Sequence, residues 1–236
     1  MGRIFEKRKH KMFARFAKMS QAFNRVRKEI EIAVKAGGVE PKGNNRLRIA
    51  MQNAKAVNMP KDRIDAAIKR ASSKDTSGYS EIIYEGMGPH GVAFIIDTAT
   101  DNPNRTVASI RHHFRKHNGN LGNSNSVAFM FEHKAFIKFE RNLIEDPEEF
   151  ELELIDHGLD EFIAEDDFCY IYTAFEDFGA MQKFLDSKNI EVNSSEFQYI
   201  PTTYKELTEE QQAEVNALID MLEEDEDVQS VFHNMQ

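Results

Sequence analysis

The 236-residue chain holds a single cysteine, Cys169. One thiol closes no intrachain disulfide and builds no cysteine-rich zinc site, which fits a reducing, cytoplasmic setting. No apolar run approaches the ~20 residues that a membrane-spanning helix needs, so no membrane partner is expected. The opening MGRIFEKRKHK is basic, but no apolar stretch follows it, which argues against a secretory leader. Catalytic signatures are missing too. There is no HExxH pair, no G-x-x-x-x-G-K-[ST] spacing in the glycine cluster at 86–91, and no recognisable nucleophile motif. Cys169 lies in an apolar strand pattern and reads as core. His112, His113 and His117 fall on one stretch, yet no third metal ligand accompanies the pair four residues apart. No cofactor, metal or small-molecule substrate is expected, and the chain does not read as an enzyme. There is no internal repeat or low-complexity tract beyond acidic patches such as residues 223–227.

What is present is charge, unevenly spread. The composition, 41% hydrophobic and 30% charged, is that of a folded chain. Residues 1–74 carry 20 Lys/Arg against 6 Asp/Glu, a net of +14. Residues 75–133 carry 4 against 6, a net of −2, and residues 134–236 carry 6 against 28, a net of −22. Like charges repel, so such segregation costs free energy unless a partner needs it. The pattern predicts a polyanion-binding unit attached to an acidic body. That body is expected to face solvent, a basic protein, or the basic unit itself.

Taken in order, residues 1–10 read as a loose basic arm. Met12, Phe16, Met19, Phe23, Val26, Ile30 and Ala33 then recur at steps of four and three, the apolar stripe of a long helix ended by Gly37-Gly38. Asn44 or Asn45 caps a second helix, and Pro60 opens a third. The hub of the chain is 81–131: two strands around a glycine turn, a helix opening at Pro103 behind an Asp101 or Asn102 cap, an Asn/Gly loop, and a further strand at 127–131. Residues 134–200 alternate as βαββαβ, a small sandwich of helices on one sheet face. One helix and one strand remain at 205–236. They cannot build a core alone, so they are expected to return and complete the hub. The fold class is therefore α+β: a three-helix domain at 1–78, a discontinuous α/β domain at 79–133 plus 203–236, and an acidic ferredoxin-like α/β domain at 134–202 inserted into it.

Several motifs, in order, resemble the YebC/PmpR family: AGG at 36–38, NNRLRIAMQNAKAVNMPKD at 44–62, the run YEGMGPHGVAFIIDTATDNPNRTVASIRHHFRKHNGNLGNSNSVAFMF, and IDMLEEDEDVQSVFHN at 219–234. The similarity covers residues 20–236. It implies the same three domains, and a DNA-binding transcriptional regulator or, as in mitochondrial relatives, a translational activator at the ribosome. The family's opening Gly-His-Ser-Lys-Trp motif is replaced here by a sequence without tryptophan, so no role of that motif carries over.

Nucleic acid, DNA or ribosomal RNA, is the expected partner, bound by a monomer. Lys and Arg release counterions condensed on phosphate, the main source of sequence-independent affinity. The candidate contacts are Arg3, Lys7, Arg8, Lys9, Lys11, Arg15 and Lys18 near the start, and Arg46, Arg48, Lys55, Lys61 and Arg63 on the second and third helices. Arg105, Arg111 and Arg115 belong to the hub helix, where backbone N–H groups of the flanking Asn/Gly loops are a second candidate for holding phosphate. No RRM aromatic pair, KH loop or zinc-finger spacing is evident.

Overall fold

A continuous helix, α1 (Arg3–Gly37), takes the place of a loose arm over residues 3–10, while Met1 and Gly2 lie outside the described residues. No glycine or proline stands between Arg3 and Gly37 to interrupt it, and Lys, Arg, Glu, Ala and Met are good helix formers. The computed structural model describes the backbone of residues 3–73 and 78–236, and the side chains of these from residue 19 onward. The chain divides into two units, Met1–Tyr79 and Ser80–Gln236.

In the first unit α1 is followed by α2 (Asn45–Ala56) and α3 (Lys61–Ser72). Phe23, Val26, Ile30, Ala33 and Val34 of α1 pack on Leu47, Ala50 and Ala54 of α2 and on Ile64, Ala67 and Ala71 of α3. Met19, expected in the apolar stripe, is 41% exposed, so described packing begins one turn later, at Phe23. Met12 and Phe16 lie outside the described side chains. The α1–α2 corner hangs on buried Asn44. Its side chain caps α2 by accepting from the Leu47 N–H at 3.1 Å, and it donates to the Ala33 and Gly38 carbonyls at 2.7 and 2.8 Å. Gly37 permits that approach, because a Cβ there would meet the Asn44 side chain at 2.7 Å. Gly38 takes the left-handed turn, with φ at 86°.

The second unit carries two antiparallel four-stranded sheets. In chain order come β1 (Ser80–Met87), β2 (Ala93–Thr100), α4 (Pro103–Lys116), β3 (Asn120–Leu121) and β4 (Phe131–Glu140). They are followed by α5 (Pro147–Ile155), β5 (Leu159–Ala164), β6 (Phe168–Ala174), α6 (Phe178–Ser187) and β7 (Val192–Pro201). The chain then forms α7 (Glu209–Glu224) and β8 (Val228–His233). The first sheet runs β3-β1-β2-β8 and the second β5-β6-β4-β7. The last strand of the first sheet, β8, returns from the far end of the chain to pair with β2. The second sheet has the strand order of a ferredoxin-like βαββαβ sandwich, with every pairing antiparallel.

β2 is the most enclosed strand, covered on both faces. Phe94 and Ile96 pack under α4 and α7 against Ile110, Phe114, Val215, Leu218 and Leu222. Phe94 and Phe114 meet edge to face, 5.7 Å between centroids. Ala93 and Ile95 point the other way, into a cluster with Val127, Phe131, Tyr199 and Phe232 that joins the two sheets. The strand expected at 127–131 is a 3-10 turn over Ala128–Met130, and β4 begins only at Phe131. Glu85 is the reason. Its carboxylate accepts from the N–H groups of Asn125, Val127 and Ala128 at 2.6 to 2.8 Å, which bends this segment around it. Among the described residues no helix is long and apolar enough to cross a membrane.

Candidate nucleic-acid interface

The basic residues of α2 and α3 are placed by the apolar ones. Leu47, Ala50 and Ala54 turn inward, which leaves Arg46 and Lys55 exposed and Arg48 half-buried. On α3 the inward set Ile64, Ala67 and Ala71 leaves Lys61 and Arg63 exposed. Arg63 is steered further by the Phe23 ring, whose centroid lies 5.4 Å from its guanidinium carbon. Asn58, in the turn between the helices, adopts φ of 57°. It takes the left-handed position that a glycine often fills in a helix-turn-helix corner.

Arg3, Lys7, Arg8, Lys9, Lys11, Arg15 and Lys18 all belong to α1, and their side chains lie outside the described residues. The helical backbone still adds something that a loose arm hides. Arg3, Lys7, Lys11, Arg15 and Lys18 recur at steps of four and three, so their Cα positions follow one line along the helix. At ~1.5 Å per residue that line is about 22 Å long.

In the second unit the three predicted arginines of α4 part company. Asn102 caps the helix through the Arg105 N–H at 3.2 Å, and Thr106, Ile110 and Phe114 face inward. Arg111 and Arg115 are exposed on one stripe with Asn104 and Ala108. Arg105 is engaged instead. Its Nη2 donates to Asp227 at 2.7 Å and to Asp101 at 3.0 Å. Asp227 is buried and also accepts from the hydroxyls of Thr106 at 2.8 Å and Thr100 at 3.2 Å. This arginine fastens α4 to the turn before β8.

The Asn/Gly loop after α4 is no open phosphate cradle. Gly119 N–H donates to the Phe114 carbonyl, Gly122 to Glu85, and Ser126 to Asn123. The N–H groups of Asn125, Val127 and Ala128 go to the Glu85 carboxylate. These donors are already taken, by backbone carbonyls or by an internal carboxylate, while Asn118 and Asn125 sit at φ of 57° and 63° as turn formers.

Of the three clustered histidines, His113 is tied to neighbouring side chains. His113 Nε2 lies 3.2 Å from Ser109 Oγ and 3.6 Å from Asp225 Oδ2, and Ser109 donates to Asp225 at 2.6 Å. Serine and aspartate approach the same ring nitrogen. An acyl-transfer triad needs them on opposite nitrogens, so this is a polar tie between α4 and the end of α7. Burial, then Lys116 and His113, holds the His117 imidazole below its usual value. Cys169 is fully buried, and burial pushes its thiol up. Among the described residues no group of three or more His, Cys, Asp or Glu is disposed to hold a metal ion.

Two family profiles match nearly the whole chain: the TACO1/YebC protein N-terminal domain over residues 3–74, and the TACO1/YebC second and third domain over residues 79–235. The chain belongs to the TACO1/YebC family. It is 51% identical over 236 residues to a "probable transcriptional regulatory protein" of Flavobacterium psychrophilum, with all of both chains covered. A protein of that name from Cytophaga hutchinsonii is 52% identical over 235 residues, covering 100% of this chain and 98% of the relative. The crystal structure of the conserved hypothetical protein Aq1575 from Aquifex aeolicus has the same fold. It superposes with a TM-score of 0.77 at 33% identity, covering 92% of this chain and 90% of that one. Membership in the TACO1/YebC family thus extends through both units, including the stretch that carries the basic residues.

Proposed function

We propose that this protein is a non-enzymatic regulator that binds nucleic acid inside the cell through its basic helical unit, with DNA as the target and transcription as the process regulated. The observation that carries the reading is the segregated charge. A net of +14 sits on residues 1–74, and Arg46, Lys55, Lys61 and Arg63 stand exposed on α2 and α3. The names of the bacterial relatives point the same way. Arg3, Lys7, Arg8, Lys9, Lys11, Arg15, Lys18, Arg48, Arg111 and Arg115 complete the proposed contact set. Arg105 acts through the fold.

A ribosome-associated role in translation is the second reading. It is favoured by the lack of a heptad repeat in the sequence for pairing two copies, since helix-turn-helix readers commonly bind paired half-sites as dimers. One experiment separates the two. The full chain is titrated with promoter fragments and with single-stranded RNA at physiological salt against excess competitor DNA, and lysate is sedimented through sucrose after nuclease removal of DNA. Retention of particular promoter fragments, with the protein at the top of the gradient, is the expected result. Co-migration with ribosomes and no sequence-selective DNA retention would replace transcription by translation. Competitor is essential, because a strongly basic unit binds any polyanion at low salt.

A further inference from the structure

The second sheet has one face covered by α5 and α6 and one left open. Ile137, Phe139, Cys169 and Ile171 point to the helices and pack on Phe150, Leu154, Met181 and Leu185. The alternate residues of the two central strands point the other way: Lys134, Phe136 and Lys138 from β4, and Phe168, Tyr170 and Tyr172 from β6. The rings form a continuous patch. Phe136 lies 5.7 Å from Tyr170 and 5.1 Å from Tyr172, centroid to centroid. In register, Tyr172 stands beside Glu161 of β5, and Phe136 beside Glu196 of β7. The aromatic strip is thus edged by a carboxylate on each outer strand.

Both cations on this face are already engaged. Lys134 Nζ is paired with Glu132 at 2.9 Å and Asp160 at 3.4 Å. Lys138 Nζ lies 3.8 Å from the centroid of Phe168 and 5.7 Å from that of Tyr170. Phe168 and Tyr170 thus already present their electron-rich faces to a cation of this same sheet. The Tyr170 hydroxyl donates to Glu165 at 3.3 Å. Burial, then the charges of Glu161 and Glu196, pushes the Tyr172 phenol above its usual value. Residues 134–202 carry 5 Lys/Arg against 18 Asp/Glu, a net of −13.

We propose that this open face docks an arginine- or lysine-rich segment of a partner protein, with cationic side chains lying over Phe136 and Tyr172 and pairing with Glu161 and Glu196. Aromatic rings with carboxylates beside them suit guanidinium in particular, which stacks with its plane and forks onto carboxylates with its edge. Aromatics on the two central strands of a βαββαβ sheet are also where single-stranded RNA stacks in RRM domains. Charge decides between the two. Phosphates would have to lie among Glu132, Asp160, Glu161 and Glu196, and neither lysine of the face is unengaged to receive them.

The test uses the full chain and two fluorescent probes, a 12-residue alternating Arg-Gly peptide and a 12-residue oligouridine, with anisotropy read at 0.15 M salt. The variants are Phe136→Leu with Tyr172→Leu, which removes rings but not charge, and Glu161→Gln with Glu196→Gln, which removes charge but not rings. Peptide affinity is expected to fall about five- to tenfold in each double variant, while oligouridine binding holds. Peptide binding that ignores the loss of the rings would reduce the effect to general attraction and overturn the proposal. Oligouridine binding that collapses with the rings would make the face an RNA platform and overturn it equally. If circular dichroism shows the ring variant unfolded, the carboxylate variant, together with Tyr170→Phe as a fold-neutral control, decides. Peptide affinity unchanged by the loss of both carboxylates rejects the docking.

Discussion

Asp97 is an acid placed where an ion is unwelcome. It stands in β2 on the face away from α4 and α7, and burial, then the charge of Glu81, pushes its carboxyl up to about 6. Its Oδ1 has no hydrogen-bond partner among the described residues. An unfolded aspartate ionises near ~3.9, so between about pH 4 and pH 6 the folded chain holds the additional proton. Proton linkage then makes this group's contribution to stability fall as pH rises through that window. Asp97→Asn should stabilise the protein by about 2 kcal/mol at pH 7.5. Each tenfold change in acidity between the folded and unfolded chain is worth ~1.4 kcal/mol, and partial exposure screens some of it. The advantage of the variant in thermal melts should close by pH 4. An equal melting temperature at pH 7.5 would show that the carboxylate is better solvated than its surroundings indicate. Arg105 makes the opposite case, a charge that is well matched. Removing it strands the buried Asp227 carboxylate, and Arg105→Ala should cost about 2–3 kcal/mol, somewhat below the loss of a fully buried pair because the arginine is half exposed. Arg111→Ala, on the same helix, should change stability by less than ~0.5 kcal/mol. Chemical denaturation of the two variants side by side separates the arginine that serves the fold from one that remains available.

At the scale of elements, what could be read from the sequence was what local rules control. Asn102 before Pro103, Asp146 before Pro147, and Thr208 three residues before Gln211 are capping signals that act within one turn, and each caps its helix here. The return of α7 and β8 was legible because a lone helix and strand have no core of their own. The 127–131 segment was not. Its apolar run has strand composition, and what bends it is Glu85, some forty residues earlier in the chain. No local pattern records a contact at that separation. The Asn/Gly loop at 118–123 resembled an anion site by composition alone, whereas its Gly119 and Gly122 donors go to the backbone carbonyls of Phe114 and Glu85. Glu85→Ala should therefore loosen a whole element and not one side chain. Amide exchange at Asn125, Val127 and Ala128 should quicken, and stability should fall by about 3 kcal/mol as three N–H groups lose a charged acceptor. Protection left intact at those amides would mean that the 3-10 turn stands without the carboxylate. The aromatic strip on β4 and β6 was equally hidden. FIKF and FCYIYTA alternate in the sequence, but only strand pairing puts Phe136 beside Tyr172.

For the whole molecule, charge was the most legible property and the candidate contacts the least. Composition separates a basic start from an acidic remainder, and no packing rule is needed to see it. Which lysines and arginines touch a ligand depends on neighbours that composition omits. Arg105 shows how a predicted contact can be turned to internal use, and α1 shows that the basic positions expected on a loose arm stand on a helical backbone from Arg3 onward. Counterion release gives a way to count the real contacts in the full chain. The logarithm of duplex affinity falls with the logarithm of salt at about 0.9 per phosphate neutralised. Changing Lys7, Lys11 and Arg15 together to Gln should make that slope shallower by about 2.7 if all three lie on phosphate. Changing Arg111 and Arg115 should take away about 1.8 if α4 shares the duplex, and nothing if it does not. Arg105→Gln should leave the slope alone, since its charge already faces Asp227 and Asp101. A slope unmoved by the α1 substitutions would remove the first helix from the interface and leave α2 and α3 to carry the affinity.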